Sequence, residues 1–325
     1  MDKETPPLLS LRGLQHHYDD LQALADISFD LYPGSLVALV GANGAGKSTL
    51  LSLICGLLPL QEGHLLHGCT LEPTRHFGFC PQQDRIWPDL TVQEQLRLLA
   101  DLYEIPAAQA DQRIEALLQS LDLRWKAETL AGQLSGGMKR RLSLAMALIH
   151  DPPVLILDEA DAGLDPQSRV ELRAFLRHLA SQENKAILLA THSLEEVEKI
   201  AHRILFLHKG ALIADGSPGE LIESLSSEGT ISFQLRHLDG LELPPARLSE
   251  LRSLLTAHLP PHRSAPPESK QAKTFLLFTD RPLDLLCSLH SFSEAQGLEV
   301  FALSLQAPSL EDVFLARTGR PYEPL

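Results

Sequence analysis

The chain has 325 residues, of which 44% are hydrophobic, and it carries a formal net charge of −14 at pH 7. This acidic balance argues against broad electrostatic capture of nucleic acid, so we expect no nucleic-acid partner. The amino terminus lacks the apolar region of a signal peptide, and no run approaches the roughly 18 apolar residues of a membrane span. The sequence therefore predicts a protein that is soluble by itself and that reaches any membrane through a partner.

Strand and helix patterns alternate along the first part of the chain. Continuous apolar runs predict strands at 35–41, 154–157, 186–191, 203–207 and 211–214. A helix is predicted over 47–58, and a helical subdomain over about 90–150, inserted between two strands. Buried apolar strands that alternate with helices indicate an α/β core with a largely parallel sheet, which we assign to residues 1–225.

The composition changes after residue 225, where a short polar stretch predicts a linker. Beyond it we predict strands at 230–235, 274–279 and 298–305. We predict helices at 248–257, 282–296 and 309–318, and a loop rich in Pro, His and Ser at 259–269. These segments indicate a small C-terminal α+β domain at 226–325.

The segment GANGAGKST fits the phosphate-loop pattern G-x-x-x-x-G-K-[ST], and it lies between a predicted strand and a predicted helix. Its glycines let consecutive N–H groups point at phosphate oxygens, and the helix adds its positive end. A glycine-rich turn without a ligand is the alternative, but a chance match has a probability of about 1%. We expect Lys47 to reach the β- and γ-phosphates and Ser48 to ligate Mg²⁺. The predicted loop residues are Gly41, Asn43, Gly44, Gly46, Lys47, Ser48 and Thr49.

Two adjacent acids, Asp158 and Glu159, end the apolar strand VLIL, at the edge of the sheet where ligands bind in open α/β folds. Asp158 is predicted to bind Mg²⁺ through water, and Glu159 to polarise the attacking water as general base. The letters DEAD at 158–161 also suggest a DEAD-box RNA helicase. We reject that class because about 100 C-terminal residues cannot supply a second RecA-like domain and the charge is too acidic.

The segment LSGG at 134–137 opens another helix. Ser135 and the N–H groups of Gly136 and Gly137 would make a second anion-binding helix start, although a simple glycine N-cap is the alternative. Two phosphate-binding helix N-termini in one chain suggest a nucleotide that is bound from two sides.

Together, GANGAGKST, LSGGMKRR, VLILDEADAGLD and THS resemble the ATP-binding subunits of ABC transporters, in the same order and spacing over about residues 8–220. The resemblance implies a P-loop NTPase core of the ABC ATPase type, with ATP and Mg²⁺ as cofactors. It assigns the adenine-stacking aromatic to Tyr18 and the γ-phosphate contact to His192. Gln82 would contact Mg²⁺ and the attacking water, although the adjacent Gln83 leaves a register one residue later open.

The same resemblance implies a head-to-tail dimer in which each ATP lies between one chain's phosphate loop and the other's LSGG. Asp165 matches the loop that bridges the two subunits. Because the chain has one phosphate loop and one LSGG segment, the resemblance implies a homodimer or a heterodimer with a related ATPase. The family usually has DEPT or DEPS where this chain has DEAD. Ala160 therefore replaces a rigid proline, and Asp161 adds a negative charge near Glu159.

The tail PSLEDVFLARTGR at 308–320 resembles the ATPase subunits of ABC-2 type exporters of drugs, polysaccharides and nodulation factors. We therefore expect ATP hydrolysis coupled to export by an integral-membrane permease, with this chain peripheral at the cytoplasmic face of the membrane. Permease contact is expected around 82–98, near Ile86, Trp87 and Leu90. The alternative is a soluble ABC ATPase that acts on nucleic acid or ribosomes without a permease.

Overall fold

The computed structural model describes residues 6–68, 73–161, 163–225, 229–237, 243–258, 263–264, 274–279 and 281–318. The chain divides into two compact units, Met1–Asp215 and Gly216–Leu325. This division falls before the junction predicted at 225–226, because a short helix at Pro218–Glu223 packs against the last helix of the second unit, Leu310–Thr318.

The strands of the first unit are β1 (Leu9–Tyr18), β2 (Leu21–Leu31), β3 (Leu36–Val40), β4 (Glu62–His67), β5 (Phe77–Cys80), β6 (Val154–Asp158), β7 (Ala186–Thr191), β8 (Arg203–His208) and β9 (Ala211–Gly216). Its helices are α1 (Lys47–Ile54), α2 (Pro73–His76), α3 (Val92–Leu102), α4 (Ala107–Ser120), α5 (Gly136–Leu148), α6 (Pro166–Ser181) and α7 (Leu194–Ile200). All five strands predicted for this region are present, which confirms the α/β core.

Six strands form the central sheet in the order β5-β6-β7-β3-β8-β9. The pairings from β5 to β8 are all parallel, and every residue of β3, β6 and β7 is buried. This continuous apolar character follows from burial of both faces of the sheet. The register pairs Asp158 with Ala190 and Val40 with Thr191, so the carboxyl ends of three strands meet at one edge.

A second, antiparallel sheet of order β2-β1-β4 was not predicted. Its inward residues, which include Leu9, Leu11, Leu24 and Ile27, share one core with α1 and the central sheet. A tight turn joins β1 to β2, with Tyr18 paired to Leu21. The sheet therefore carries Tyr18 at the end of a well-anchored strand.

The helix predicted over 47–58 is wrong in its length, because α1 ends at Ile54. Cys55 caps it, and Gly56 follows with a φ of +69°, the left-handed conformation that commonly terminates helices. The apolar residues after Gly56 continue the hydrophobic pattern but not the helix.

The region 90–150, for which a helical subdomain is predicted, contains α3, α4 and α5, with two single-turn 3₁₀ helices between α4 and α5. Thr91 begins α3 with a capping box, in which its side chain accepts from the Glu94 N–H and Glu94 accepts from the Thr91 N–H. No helix in the described part of the chain is both long and apolar enough to cross a membrane.

The second unit contains β10 (Gly229–His237), β11 (Arg263–Ser264), β12 (Thr274–Thr279) and β13 (Leu298–Gln306), together with α8 (Pro218–Glu223), α9 (Pro245–His258), α10 (Pro282–Ala295) and α11 (Leu310–Thr318). The sheet is antiparallel in the order β11-β12-β10-β13, and α9 and α10 share its core. Phe233 and Phe275 stack at 5.1 Å within that core. The strands and helices predicted here are confirmed. The predicted loop 259–269 contains β11, and its other residues lie outside the described ones.

Candidate nucleotide site

The phosphate loop connects β3 to α1, and sterics require glycine at two of its positions. A Cβ at Gly41 would lie 2.3 Å from the Leu207 carbonyl oxygen, which is closer than real contacts allow. Gly46 has a φ of +106°, and a Cβ there would lie 2.7 Å from the Ala23 oxygen. The loop is therefore held tightly against the neighbouring strands, which fixes where its N–H groups lie.

Lys47 begins α1, and only 6% of its surface is exposed. Its Nζ donates to the Gly41 carbonyl at 2.6 Å and to the Ala42 carbonyl at 3.3 Å. Burial lowers the pKa of Lys47, and the charges of Glu159 and Asp158 oppose that shift. The ammonium group thus lies inside the curve of the loop with two carboxylates nearby.

Asp158 ends β6 beside this loop, and its Oδ2 accepts a hydrogen bond from Ser48 Oγ at 3.1 Å. Burial raises the pKa of Asp158, and the neighbouring charge of Glu159 raises it further, whereas Ser48 and Lys47 lower it. A hydroxyl and a carboxylate oxygen at this separation are hard ligands of the type that Mg²⁺ prefers. The donor set at this position therefore fits the predicted magnesium ion.

Glu159 connects the other two predicted catalytic residues. Gln82 Nε2 donates to Glu159 Oε2 at 3.0 Å, and His192 Nδ1 lies 2.9 Å from Glu159 Oε1. The Glu159 backbone has a φ of +50°, and its N–H donates to the Ala190 carbonyl at 2.8 Å. A left-handed glutamate is strained, and such residues concentrate at functional sites where the surroundings hold them. Two residues that follow two other strands therefore converge on the Glu159 carboxylate.

A cleft of about 620 Å³ joins these groups to the predicted adenine position. Tyr18 is 45% exposed and lines it, with its ring edge-on to buried His16 at 4.8 Å. The predicted residues that line the cleft are Tyr18, Asn43, Gly44, Gly46, Lys47, Ser48, Thr49, Gln82 and Glu159. The same cleft is therefore lined by the residues predicted for adenine stacking, phosphate binding and hydrolysis.

Sequence reasoning missed Lys209, which also lines the cleft. It is the first residue of the turn between β8 and β9, where Lys209 and Gly210 both have positive φ, as two-residue hairpin turns of type I′ require. The Gly210 N–H donates to the Ala45 carbonyl at 2.9 Å, which fixes the hairpin on the phosphate loop. The strands predicted at 203–207 and 211–214 left room for a short turn between them, but nothing in the sequence indicated which loop that turn would meet.

The LSGG residues do not line this cleft. Ser135, rather than a glycine, is the N-cap of α5, and its hydroxyl accepts from the Met138 N–H at 3.4 Å. Nothing lies within 4 Å of a Cβ built at Gly136, and only Leu164 comes near one at Gly137. Asp165 is exposed as the N-cap of α6 and accepts from the N–H and hydroxyl of Ser168, which lower its pKa.

The departure from DEPT leaves a small, buried residue after Glu159. Ala160 is 2% exposed, and its carbonyl accepts a hydrogen bond from Arg140 Nε at 3.1 Å. Asp161 is partly exposed and begins the turn that leads to α6, where its carbonyl accepts from the Leu164 N–H. The alanine therefore occupies the proline position as a buried residue, with its carbonyl held by Arg140.

The fold and the site together define a P-loop NTPase. The family model described as ABC transporter matches residues 24–162. The Nod factor export ATP-binding protein I of Ralstonia nicotianae is 36% identical over 320 residues, covering 97% of this chain and 94% of that protein. The protein of the same name from Cupriavidus metallidurans is 34% identical and covers 96% of this chain and 98% of its own length. The chain therefore belongs to the ATP-binding subunits of ABC transporters, and it is an ATPase of that family.

Solved structures agree with this assignment. One described as the ATP-binding subunit of an ABC transporter has a TM-score of 0.62 at 29% identity, covering 77% of this chain and 99% of that one. The dimeric cassette MJ0796 has a TM-score of 0.59 at 25% identity, covering 64% of this chain and 98% of its own. Because the relatives are named as export ATP-binding proteins, these similarities favour the transporter over the alternative of a soluble ATPase acting on nucleic acid or ribosomes.

Proposed function

We propose that this chain binds Mg²⁺·ATP in the cleft and hydrolyses it to drive export through a separate membrane permease. The observation that carries the proposal is the hydrogen bonding of Glu159 to both Gln82 and His192, next to a phosphate loop. The relatives named for Nod factor export support an exporter, and a Nod factor is therefore the first substrate to test.

Nucleotide binding uses the two ends of the cleft. The half-exposed ring of Tyr18 offers a stacking surface for adenine, and an aromatic stack of this kind typically contributes about 1–3 kcal/mol. The loop N–H groups and the N-terminus of α1 receive the phosphates, and Lys47 turns its ammonium from the loop carbonyls towards the β- and γ-phosphates. Thr49, in the first turn of α1, lines the same region.

A magnesium ion would be held by Ser48 and, through water, by Asp158, with Gln82 as a further ligand. When bound, this ion neutralises charge that develops on the phosphate oxygens. The Ser48–Asp158 hydrogen bond supports this assignment because it already brings two oxygen donors together. Burial of Asp158 raises its pKa, and a divalent cation beside the carboxylate would counter that shift.

Hydrolysis needs a water activated in line with the γ-phosphate. Glu159 takes one proton from that water while the water oxygen bonds to the γ-phosphorus, and the bond to the bridging oxygen of ADP breaks. Gln82 orients the water, and His192 contacts the γ-phosphate. Their bonds to the two oxygens of Glu159 support a single coupled unit, which would rearrange when the nucleotide arrives.

The second half of each site would come from another copy. Ser135, Gly136 and Gly137 present an open helix N-terminus away from the cleft, which suits an anion carried by a partner subunit. Asp165 would bridge the two copies. The dimeric cassette among the similar structures supports this arrangement, as a homodimer or as a heterodimer with a related ATPase.

We also propose that the permease docks beside Trp87, which makes the chain peripheral at the cytoplasmic face of the membrane. Trp87 is 42% exposed, although large aromatics are usually buried. Its backbone N–H donates to the side chain of fully buried Gln95 at 2.9 Å. The exposed ring therefore lies on a rigid support, which favours a binding surface over a loose loop.

The test is Glu159→Gln, which keeps the size of the side chain but removes the base. We expect almost no phosphate release, together with an ATP-bound dimer that persists during gel filtration in Mg²⁺·ATP. The matched control is Glu171→Gln, because Glu171 is an exposed carboxylate on α6 whose partners, Arg141 and Gln167, lie outside the cleft. Near-normal phosphate release by Glu159→Gln would remove Glu159 as the general base.

A further inference from the structure

Arg140 is a buried arginine in the helix that LSGG opens. Only 5% of its surface is exposed, and its guanidinium donates to four acceptors. Nη2 donates to the Asp158 carbonyl at 2.6 Å, and Nε donates to the Ala160 carbonyl at 3.1 Å. Nη1 donates to the Pro81 carbonyl and to Asp84 Oδ1, the latter at 3.1 Å. One side chain therefore connects α5 to two separate segments of the core.

These two segments carry the hydrolytic pair. Asp158 and Ala160 are the residues on either side of Glu159, and Pro81 immediately precedes Gln82. Arg140 thus holds the backbone around both residues whose side chains meet at 3.0 Å. A guanidinium is planar and its donors have fixed directions, so it sets the relative position of its acceptors more strictly than an ammonium group does.

Glu159 needs such support because its backbone is left-handed, with a φ of +50°. A non-glycine residue keeps this conformation only where surrounding bonds determine it. The Glu159 N–H is fixed by the Ala190 carbonyl, and Arg140 fixes the carbonyls before and after it. Loss of the arginine would free this turn and leave two buried carbonyls and the half-buried Pro81 carbonyl without this donor.

We propose that Arg140 is a positioning residue that holds Gln82 and Glu159 in hydrolytic geometry and couples them to the helix that carries LSGG. This inference rests on the proposed roles of Gln82 and Glu159. The LSGG residues, which would bind the partner's nucleotide, lie at the start of α5. A shift of α5 on dimer closure would therefore move Gln82 and Glu159 of the same chain through the Arg140 guanidinium. Arg140 itself does not line the nucleotide cleft.

Arg113 provides a matched control. It lies on α4 and donates to the Leu148 carbonyl at 3.0 Å and to Asp151 Oδ1 at 2.7 Å. It therefore also anchors the helical subdomain to a segment next to β6, but at the amino end of that strand, away from the catalytic edge. A purely structural role for Arg140 predicts that the two arginines behave alike.

The experiment compares Arg140→Lys, Arg140→Met and Arg113→Met in the full-length chain, by thermal unfolding, equilibrium ATP binding and kcat. We expect Arg140→Met to lower kcat at least tenfold while the Kd for ATP changes less than twofold. Arg140→Lys should retain an intermediate kcat, because the lysine ammonium group keeps the positive charge but lacks the planar set of N–H donors of a guanidinium. Arg113→Met should lose thermal stability but keep its kcat.

A double variant tests whether the effect acts through Gln82. If it does, Gln82→Ala combined with Arg140→Met lowers kcat by clearly less than the product of the single effects. The proposal is overturned if kcat in folded Arg140→Met matches that of Arg113→Met, or if the two effects multiply. If Arg140→Met does not fold, the test rests on Arg140→Lys alone. A kcat for Arg140→Lys equal to that of the unsubstituted chain then overturns the proposal. Full turnover in Glu159→Gln would instead refute the proposed function.

Discussion

Gly41 and Gly44 belong to the same phosphate loop, yet replacing each with alanine should have different consequences. A Cβ at Gly41 meets the Leu207 carbonyl oxygen at 2.3 Å and the Ala45 Cβ at 3.0 Å, whereas nothing lies within 4 Å of one at Gly44. Since the Leu207 oxygen belongs to backbone, it cannot rotate away, and β8 or the loop must move by about 1 Å to reach normal contact.

Overpacking of this kind typically costs about 1–3 kcal/mol, and a collision between fixed backbone atoms belongs at the upper end. Gly44→Ala loses only the free energy needed to hold an alanine in the left-handed conformation at a φ of +76°, about 1 kcal/mol. For a unit of this size each kcal/mol lowers Tm by about 2–4 °C. We therefore expect a loss of about 6–12 °C for Gly41→Ala and about 2–4 °C for Gly44→Ala.

Tryptophan fluorescence measures the unfolding of the first unit, which contains the phosphate loop, because both tryptophans, Trp87 and Trp125, lie in that unit. The melting experiment is run without nucleotide, so that ATP binding does not add its own stabilisation. Equal losses for the two variants, or a larger loss for Gly44→Ala, would refute the steric argument for Gly41.

The other predictions address the cleft, the docking surface and the buried carboxylate. Tyr18→Ala should raise the Kd for ATP by about 5–150-fold with little change in Tm, because the ring is half-exposed; titration with ATP measures this, and an unchanged Kd excludes adenine stacking. Trp87→Glu should abolish export in reconstituted vesicles while basal ATPase persists, and unchanged export removes Trp87 from the interface. Asp158→Asn should abolish ATPase yet raise Tm at pH 7. The folded state raises the pKa of Asp158, so its ionised form is destabilising above that pKa. The advantage of the variant should shrink as pH falls through the raised pKa and vanish below about 4, the ordinary aspartate range. An advantage that persists at pH 3 contradicts this cause.

The amino-acid sequence by itself determined the local chemistry. The apolar runs located the strands of the central sheet because buried parallel strands need continuous hydrophobic residues. The phosphate loop followed from glycine spacing, and Asp158 and Glu159 followed from their position after a strand. Within the second unit the described strands and helices also followed from periodicity and breakers, whereas Gly56 ended α1 earlier than the apolar pattern indicated.

The tertiary structure decided which of these local features meet. Only the parallel register brings Gln82 and His192, which are far apart in sequence, to the sheet edge where both contact the Glu159 carboxylate. The unpredicted antiparallel sheet carries Tyr18 to the cleft, and the β8–β9 turn brings Lys209 there. The four bonds of Arg140 depend on three segments folding together, so no pattern along the chain could have indicated them. Sequence fixes a residue's type and local conformation, but partners distant along the chain are set by packing.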